Sequence, residues 1–187
     1  MINKKFIYPS VGLIAAGIIA FEVFMIRYFG IAHSAAYIYI PISVAILGFG
    51  IAATVISIFE DNILKNTDMY LGFSAVLSIF FTSLGFFILK QIEFNPSHLG
   101  SFSLFFKEIL SILVFYFFFI LPFFCASFFI ILAYHTEKNQ IGQLSLFESI
   151  GSAIGGLIFL VSLVIIPINY LIFIPVIFLS LSSFLII

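Results

Sequence analysis

Two carboxylates and one guanidinium lie within, or at the edge of, long apolar stretches of this chain. Glu22 stands five residues before Arg27 in the first stretch, and Glu148 opens a later one. A charged group in hydrocarbon costs at least about 2.5–3.5 kcal/mol, so Glu22 must face other helices or water, be paired, or be protonated. Such a carboxylate predicts proton coupling or binding of a cationic ligand, with a polar clamp between helices as the structural alternative.

Glu22 and Arg27 make a poor ion pair within a single helix. Five residues of α-helix rotate two side chains by roughly 140° about the axis, so they point in different directions. We therefore expect the partner of Glu22 on another helix. Glu148 is expected to begin a helix, where a carboxylate in the first turn gains about 0.3–1 kcal/mol from the helix dipole. That placement accounts for Glu148 and is also compatible with a binding role.

Small residues recur at helical spacing in the same apolar stretches. Gly151 and Gly155 are four residues apart, and Gly48 and Gly50 lie in an alanine-rich run over residues 45–53. Lipid tails are as apolar as leucine, so helices in a bilayer associate where small residues let their backbones approach. The pattern predicts that these four glycines are helix-packing positions, with a glycine-lined cavity or hinge as the alternative. A further ridge on the first stretch comprises Gly12, Ala16 and Ala20.

No pattern of catalytic or metal-ligating residues occurs in the sequence. The three histidines, His33, His98 and His135, fall in separate polar stretches, and the single cysteine, Cys125, lies in an apolar run. Neither a His-x-x-x-His pair nor a Gly-x-Ser-x-Gly motif is present. We therefore expect no metal site, no cofactor and no catalytic residue in this chain.

The composition excludes a water-soluble domain. Of 187 residues, 64% are hydrophobic and 8% are charged, whereas soluble domains carry about 25% charged residues. The net charge is −1, and no basic cluster is available to neutralise phosphates, so nucleic-acid binding is not expected. These features predict an integral membrane protein whose first partner is the lipid bilayer.

The chain offers six stretches of the roughly 20 apolar residues that a spanning helix needs. They cover residues 7–28, 36–59, 69–89, 109–133, 147–167 and 169–187. The predicted fold class is all-α, a polytopic transmembrane helical bundle of about six spans that forms one domain over residues 1–187. Residues 101–107 predict either a short amphipathic helix in the membrane interface or an ordinary loop running into the fourth span.

Positive charges favour a cytoplasmic N-terminus by a small margin. Cytoplasmic loops are enriched in Lys and Arg, and four cations fall on the N-terminal side of the membrane against three on the other. The four are Lys4, Lys5, Lys65 and Lys138, and the three are Arg27, Lys90 and Lys107. An even number of spans then places both termini in the cytoplasm. The chain ends within apolar sequence, which predicts that it is the N-terminal part of a longer protein.

Five short motifs occur in order along the chain. They are residues 21–27 (FEVFMIR), 45–50 (AILGFG), 121–124 (LPFF), 141–144 (IGQL) and 148–155 (ESIGSAIG). This order resembles the membrane half of bacterial spermidine-synthase-like membrane proteins. In that family an N-terminal helical bundle precedes a cytoplasmic domain with the aminopropyltransferase and methyltransferase fold.

The fifth span departs from the family pattern, which is usually Asp-Leu-x-Gly-Ala-x-x-Gly. Glu148 stands in place of the aspartate, and Ser149 and Ser152 also differ. The resemblance implies that the following are family-pattern positions: Glu22, Arg27, Gly48, Gly50, Pro122, Glu148, Gly151 and Gly155.

The resemblance implies that the chain anchors, and supplies substrate to, a cytoplasmic transferase-like domain, in cis or in trans, at the bacterial cytoplasmic (inner) membrane. The catalytic half itself is missing, because no strand–helix alternation with a Gly-rich first loop is present. Two alternatives stay open: a small-molecule or cation transporter that uses Glu22, and a structural membrane assembly subunit. The small-residue ridges are also compatible with a homo-oligomer.

Overall fold

The computed structural model describes residues 6–32, 39–89 and 102–187 of the chain. Within these ranges the backbone is almost entirely helical and contains no strand, so the all-α fold class is confirmed. The helices are α1 (Ile7–Ala32), α2 (Tyr39–Ile58), α3 (Glu60–Lys65), α4 (Thr67–Leu89), α5 (Phe102–Thr136), α6 (Ile141–Ile165) and α7 (Phe173–Ile186). Two 3-10 turns, Lys138–Gln140 and Ile168–Tyr170, precede α6 and α7.

Six of the described helical segments are long and apolar enough to cross a membrane, as predicted. They are Ile7–Ile31, Tyr39–Ile58, Thr67–Ile88, Leu113–Thr136, Lys138–Ile165 and Ile168–Ile186. A helix satisfies its own backbone N–H and C=O groups, which hydrocarbon cannot do. The chain therefore has the architecture of an integral membrane protein, with the short helix α3 linking the second and third spans.

Two helices begin earlier than the sequence indicated. α5 runs without a break from Phe102, so residues 102–107 form neither a separate interfacial helix nor a loop. α6 begins at Ile141 rather than at residue 147, because Gln143 and its neighbours are compatible with helix and do not interrupt it. Glu148 consequently lies at the end of the second turn of α6. The prediction that the helix dipole stabilises the Glu148 carboxylate is therefore wrong, because that effect is confined to the first turn.

α1 is the central helix of the bundle. α2, α5, α6 and α7 pack against it, while α4 packs against α5 and α7. Phe21 and Phe24 on α1 are fully buried. The Phe21 ring lies 6.3 Å from Phe119 and 5.7 Å from Phe123, both on α5. The Phe24 ring lies 6.3 Å from Phe159 on α6. Aromatic rings from three helices therefore meet in the middle of the bundle.

α1 and α6 approach with their backbones in contact. A Cβ atom on Gly151 would overlap the backbone of Gly12, and one on Gly155 would overlap the backbone of Ala16. The two helices run in the same direction, and both use small residues four positions apart, a known motif of transmembrane helix pairs. Among the described residues α1 is the main neighbour of α6, which is the most exposed of the spans.

Candidate functional site

Three parts of the chain meet at one end of the bundle, which we call the polar end. They are the start of α1, the connection from α2 to α4, and the connection from α5 to α6. Side-chain contacts join them across large distances in sequence. The polar end comprises Tyr8, Glu60, Tyr134, His135, Glu137, Gln140 and Glu148.

Tyr134 and Glu148 join the end of α5 to α6. The Tyr134 hydroxyl donates a hydrogen bond of 2.6 Å to Oε2 of Glu148. Tyr134 lies in the last turn of α5, and both side chains are half-buried. The partner of Glu148 is therefore a tyrosine of the preceding helix rather than the backbone at a helix start. The sequence singled out Glu148 but not Tyr134.

We expect Tyr134→Phe to lower the free energy of unfolding by about 1–3 kcal/mol, because it leaves the half-buried Glu148 carboxyl without its donor. Thermal unfolding in detergent measures this change. Combining Tyr134→Phe with Glu148→Gln should cost less than the sum of the two single changes, since both remove the same bond. Tyr39→Phe, at an exposed tyrosine, is the control. Equal effects at Tyr134 and Tyr39 would contradict a stabilising bond.

Tyr8 ties the start of α1 to the α5–α6 connection. Its hydroxyl donates to Oε1 of Gln140 at 2.5 Å and lies 3.4 Å from Oε2 of Glu137. Its ring is tilted against Phe147 of α6, with the ring centres 5.9 Å apart. One tyrosine thus contacts the connection and the helix that follows it. The chain separates Tyr8 from Gln140 by 132 residues, so no local pattern predicted this contact.

His135 and Glu60 link the end of α5 to α3. Nδ1 of His135 lies 3.7 Å from Oε1 of Glu60, and the two side chains are 30% and 46% exposed. A pair with this exposure contributes about 0–1 kcal/mol. The contact shows that α3 lies beside the end of α5, so the polar end includes residues from α1, α3, α5 and α6.

Glu22 lies away from the polar end, in the middle of α1. Its side chain is half-buried and makes no hydrogen bond or ion pair with any residue that the structure describes. Arg27 is exposed and likewise has no such partner within the described ranges. The partner that we expected for Glu22 on another helix is therefore not found there. Glu22, Arg27 and Glu148 do not form one site.

The four predicted packing glycines divide into two groups. Gly151 and Gly155 face α1, and a Cβ on Gly48 would lie 2.6 Å from Cβ of Phe123 on α5. Gly50 is different, because it is exposed and a Cβ there would meet no described atom within 4 Å. Its two-residue offset from Gly48 turns it about 200° around α2. Within the described part of the chain, the expected packing of Gly50 is therefore wrong.

The described residues contain no group of three His, Cys, Asp or Glu side chains that could hold a metal ion. Cys125 is buried in α5 and is not in a disulfide. Among the described residues, the arrangement offers hydrogen-bonding groups at the polar end and one mid-span carboxyl, that of Glu22, without a hydrogen-bonding or ionic partner. No protein-family model, curated protein or solved structure matches the chain.

Proposed function

We propose that this chain is the membrane domain that anchors a cytoplasmic, spermidine-synthase-like transferase domain and supplies its substrate. The polar end is the observation that supports the proposal. Hydrogen-bonding side chains from α1, α3, α5 and α6 are held together there by mutual contacts. A soluble domain needs a fixed polar surface on which to dock, and many large apolar side chains are exposed along the spans.

Exposed charges of both signs surround the polar end. Asp61 and Lys65 are exposed on α3, and Lys138 is exposed beside the half-buried Glu137. Mixed charge around an interface steers association and fixes orientation. By contrast, the α6–α7 connection over residues 166–172 carries no charged residue. Of these two surfaces, the polar end is the better docking site for a soluble partner.

The same proposal places the polar end in the cytoplasm of a bacterial cell, with the six spans in the inner membrane. Lys65 and Lys138 lie at this end, which fits the enrichment of cations in cytoplasmic loops. Lys4 and Lys5 lie outside the described residues.

Cysteine labelling tests this orientation. In a Cys125→Ser background, Asn139→Cys and Asn169→Cys each place one exposed thiol at opposite ends of α6. A membrane-impermeant maleimide added to intact cells should label Asn169→Cys, and should label Asn139→Cys only after the cells are opened. The reverse pattern would contradict a cytoplasmic polar end.

Photo-cross-linking tests the docking itself. A photoreactive amino acid at the exposed Gln143, introduced in the native host, should cross-link to a domain with the transferase fold, in the same polypeptide or in a separate one. The same amino acid at Asn169 is the matched control. Mass spectrometry identifies the linked peptides. Links from Gln143 only to proteins without that fold would contradict the proposal.

Transport of a cationic solute is a second candidate function, and it is favoured because Glu22 has no partner among the residues that the structure describes. Uptake of a polyamine and of an amino acid into proteoliposomes should fall at least about tenfold in Glu22→Gln if this carboxyl binds the transported cation, since removing a charged partner of a bound ion is worth about 1.5–3 kcal/mol. Asp61→Asn, at an exposed carboxylate on α3, is the control. Equal uptake by wild type and Glu22→Gln would rule out the transport role for Glu22.

A further inference from the structure

We propose that Glu22 is a proton-exchange site inside the membrane, a single carboxyl group that binds and releases one proton in a seam between α5 and α6. The seam is the groove over α1 that these two helices border. This inference does not rest on either proposed function, because it concerns the chemistry of one side chain.

The seam follows one face of α1. Tyr8, Ala15 and Glu22 are spaced by seven residues, and each such step of α-helix drifts by about 20°, so Glu22 points about 40° away from Tyr8. Tyr8 hydrogen-bonds Gln140 in the α5–α6 connection, so at the polar end this face of α1 is directed toward that connection. The 14 residues from Tyr8 to Glu22 correspond to about 21 Å along the axis. Glu22 therefore lies deep in the bundle on the face that Tyr8 marks.

α6 lines the seam with small and polar side chains. Glu148, Ser152 and Gly156 are four residues apart, and all are half-buried. Glu148 reaches α5 through its hydrogen bond, and Ile19 of α1 lies 3.7 Å from the Cβ position of Gly156. Beyond the polar end, α5 and α6 do not pack extensively against each other in the described part of the chain. The Glu22 side chain is half-buried rather than enclosed.

A proton is the ligand that this site suits. Metal cations take several oxygen ligands, and Glu22 has no hydrogen-bonding or ionic partner among the described residues. One carboxyl group alone is sufficient to bind a proton. A charge in hydrocarbon costs at least about 2.5–3.5 kcal/mol, whereas a carboxyl group that holds a proton carries no charge.

Few other titratable groups bear on Glu22. Those with described side chains on α1, α5 and α6 are Tyr8, Arg27, Tyr28, Tyr116, Cys125, Tyr134, His135 and Glu148, and α2 and α4 add Tyr39, Asp68 and Tyr70 near their ends. α7 has none. Arg27 is exposed and is turned roughly 140° from Glu22 on the same helix. No described cation is therefore positioned to hold Glu22 in its charged form.

Dicyclohexylcarbodiimide, an apolar reagent that partitions into lipid, tests the site in the whole chain reconstituted in phosphatidylcholine vesicles. The carboxyl proton moves to a carbodiimide nitrogen and the carboxyl oxygen bonds to the central carbon, giving an O-acylisourea that rearranges to an N-acylurea. Nothing leaves, so the peptide gains the mass of one carbodiimide. We expect this adduct on Glu22, formed at least about tenfold more slowly at pH 10 than at pH 6, because only the protonated acid starts the reaction.

A water-soluble carbodiimide with an added amine is the matched probe, and it should modify the exposed Asp61 while leaving Glu22 unmodified. Glu22→Gln should abolish the apolar adduct, and Asp61→Asn should retain it. Folded wild-type protein without an adduct on Glu22 would overturn the inference, as would an adduct formed at one rate across the pH range. The wild-type chain gives this result by itself, so the test does not depend on the folding of Glu22→Gln.

Discussion

Replacing Gly151 with leucine is expected to lower the melting temperature of the detergent-solubilised protein by roughly 6–12 °C. The first added atom would overlap the backbone of Gly12, which cannot rotate aside as a side chain can. α1 and α6 must therefore separate, and the adjoining contact between Gly155 and Ala16 is lost with them. Overpacking costs about 1–3 kcal/mol, and we expect the upper end because backbone is the obstacle. A chain of this length loses about 2–4 °C per kcal/mol.

Gly50→Leu is the matched control for this substitution. Both glycines lie inside a spanning helix, so both changes bring the same gain in helix propensity. A Cβ on Gly50 meets no described atom within 4 Å, so Gly50→Leu is expected to leave stability unchanged or to raise it by up to about 1 kcal/mol. Similar losses at Gly50 and Gly151 would show that glycine itself, rather than the α1–α6 contact, matters for stability.

Phe21→Ala is expected to destabilise the bundle by about 2–3 kcal/mol. The Phe21 ring is fully buried and contacts rings of α5 at 5.7 and 6.3 Å. In water-soluble cores this substitution costs about 3–5 kcal/mol. One part is the lost free energy of transferring the ring from water, and the other is the cost of the cavity left behind. In a bilayer the unfolded helix keeps its phenylalanine in hydrocarbon, so most of the transfer part cancels. What remains is the loss of packing at the cavity.

Phe87→Ala is the control for Phe21→Ala. Phe87 lies on α4 and is 61% exposed, so its removal leaves no cavity. Urea or SDS titration of both variants in the same detergent gives the two changes in the free energy of unfolding. A loss at Phe87 as large as that at Phe21 would contradict the view that packing, rather than total hydrophobicity, stabilises this bundle.

The six spans could be predicted because each one satisfies its own backbone and needs only length and apolar composition. Helix boundaries were harder: the polar residues before Glu148 suggested a later start, yet α6 already begins at Ile141. Glycine spacing predicted that Gly151 packs against something. It did not identify Gly12 as the partner, because spacing along one helix carries no information about which other helix lies opposite.

Glu148 could be singled out from the sequence, but the contacts that form the polar end could not be predicted. Its contacts join Tyr8 to Gln140 across 132 residues, and His135 to Glu60 between separate connections. The sequence around either residue of such a pair does not indicate which residue it contacts. Glu22, by contrast, could be identified from residue type alone, because a carboxylate within an apolar helix stands out in the sequence. Its isolation within the described structure could be seen only after the helices around it had been placed.

The contact between Gly12 and Gly151 also bears on the order of events during synthesis. The two glycines are 139 residues apart in the chain, and ribosomes add about 5–20 residues per second. α1 therefore waits roughly 7–28 s in the membrane before its natural neighbour α6 exists. During that time lipid, another nascent chain or the insertion machinery must cover the glycine face of α1. α1 is thus completed by a helix that is made much later, and any delay in translation between the two prolongs the period in which α1 can pair wrongly.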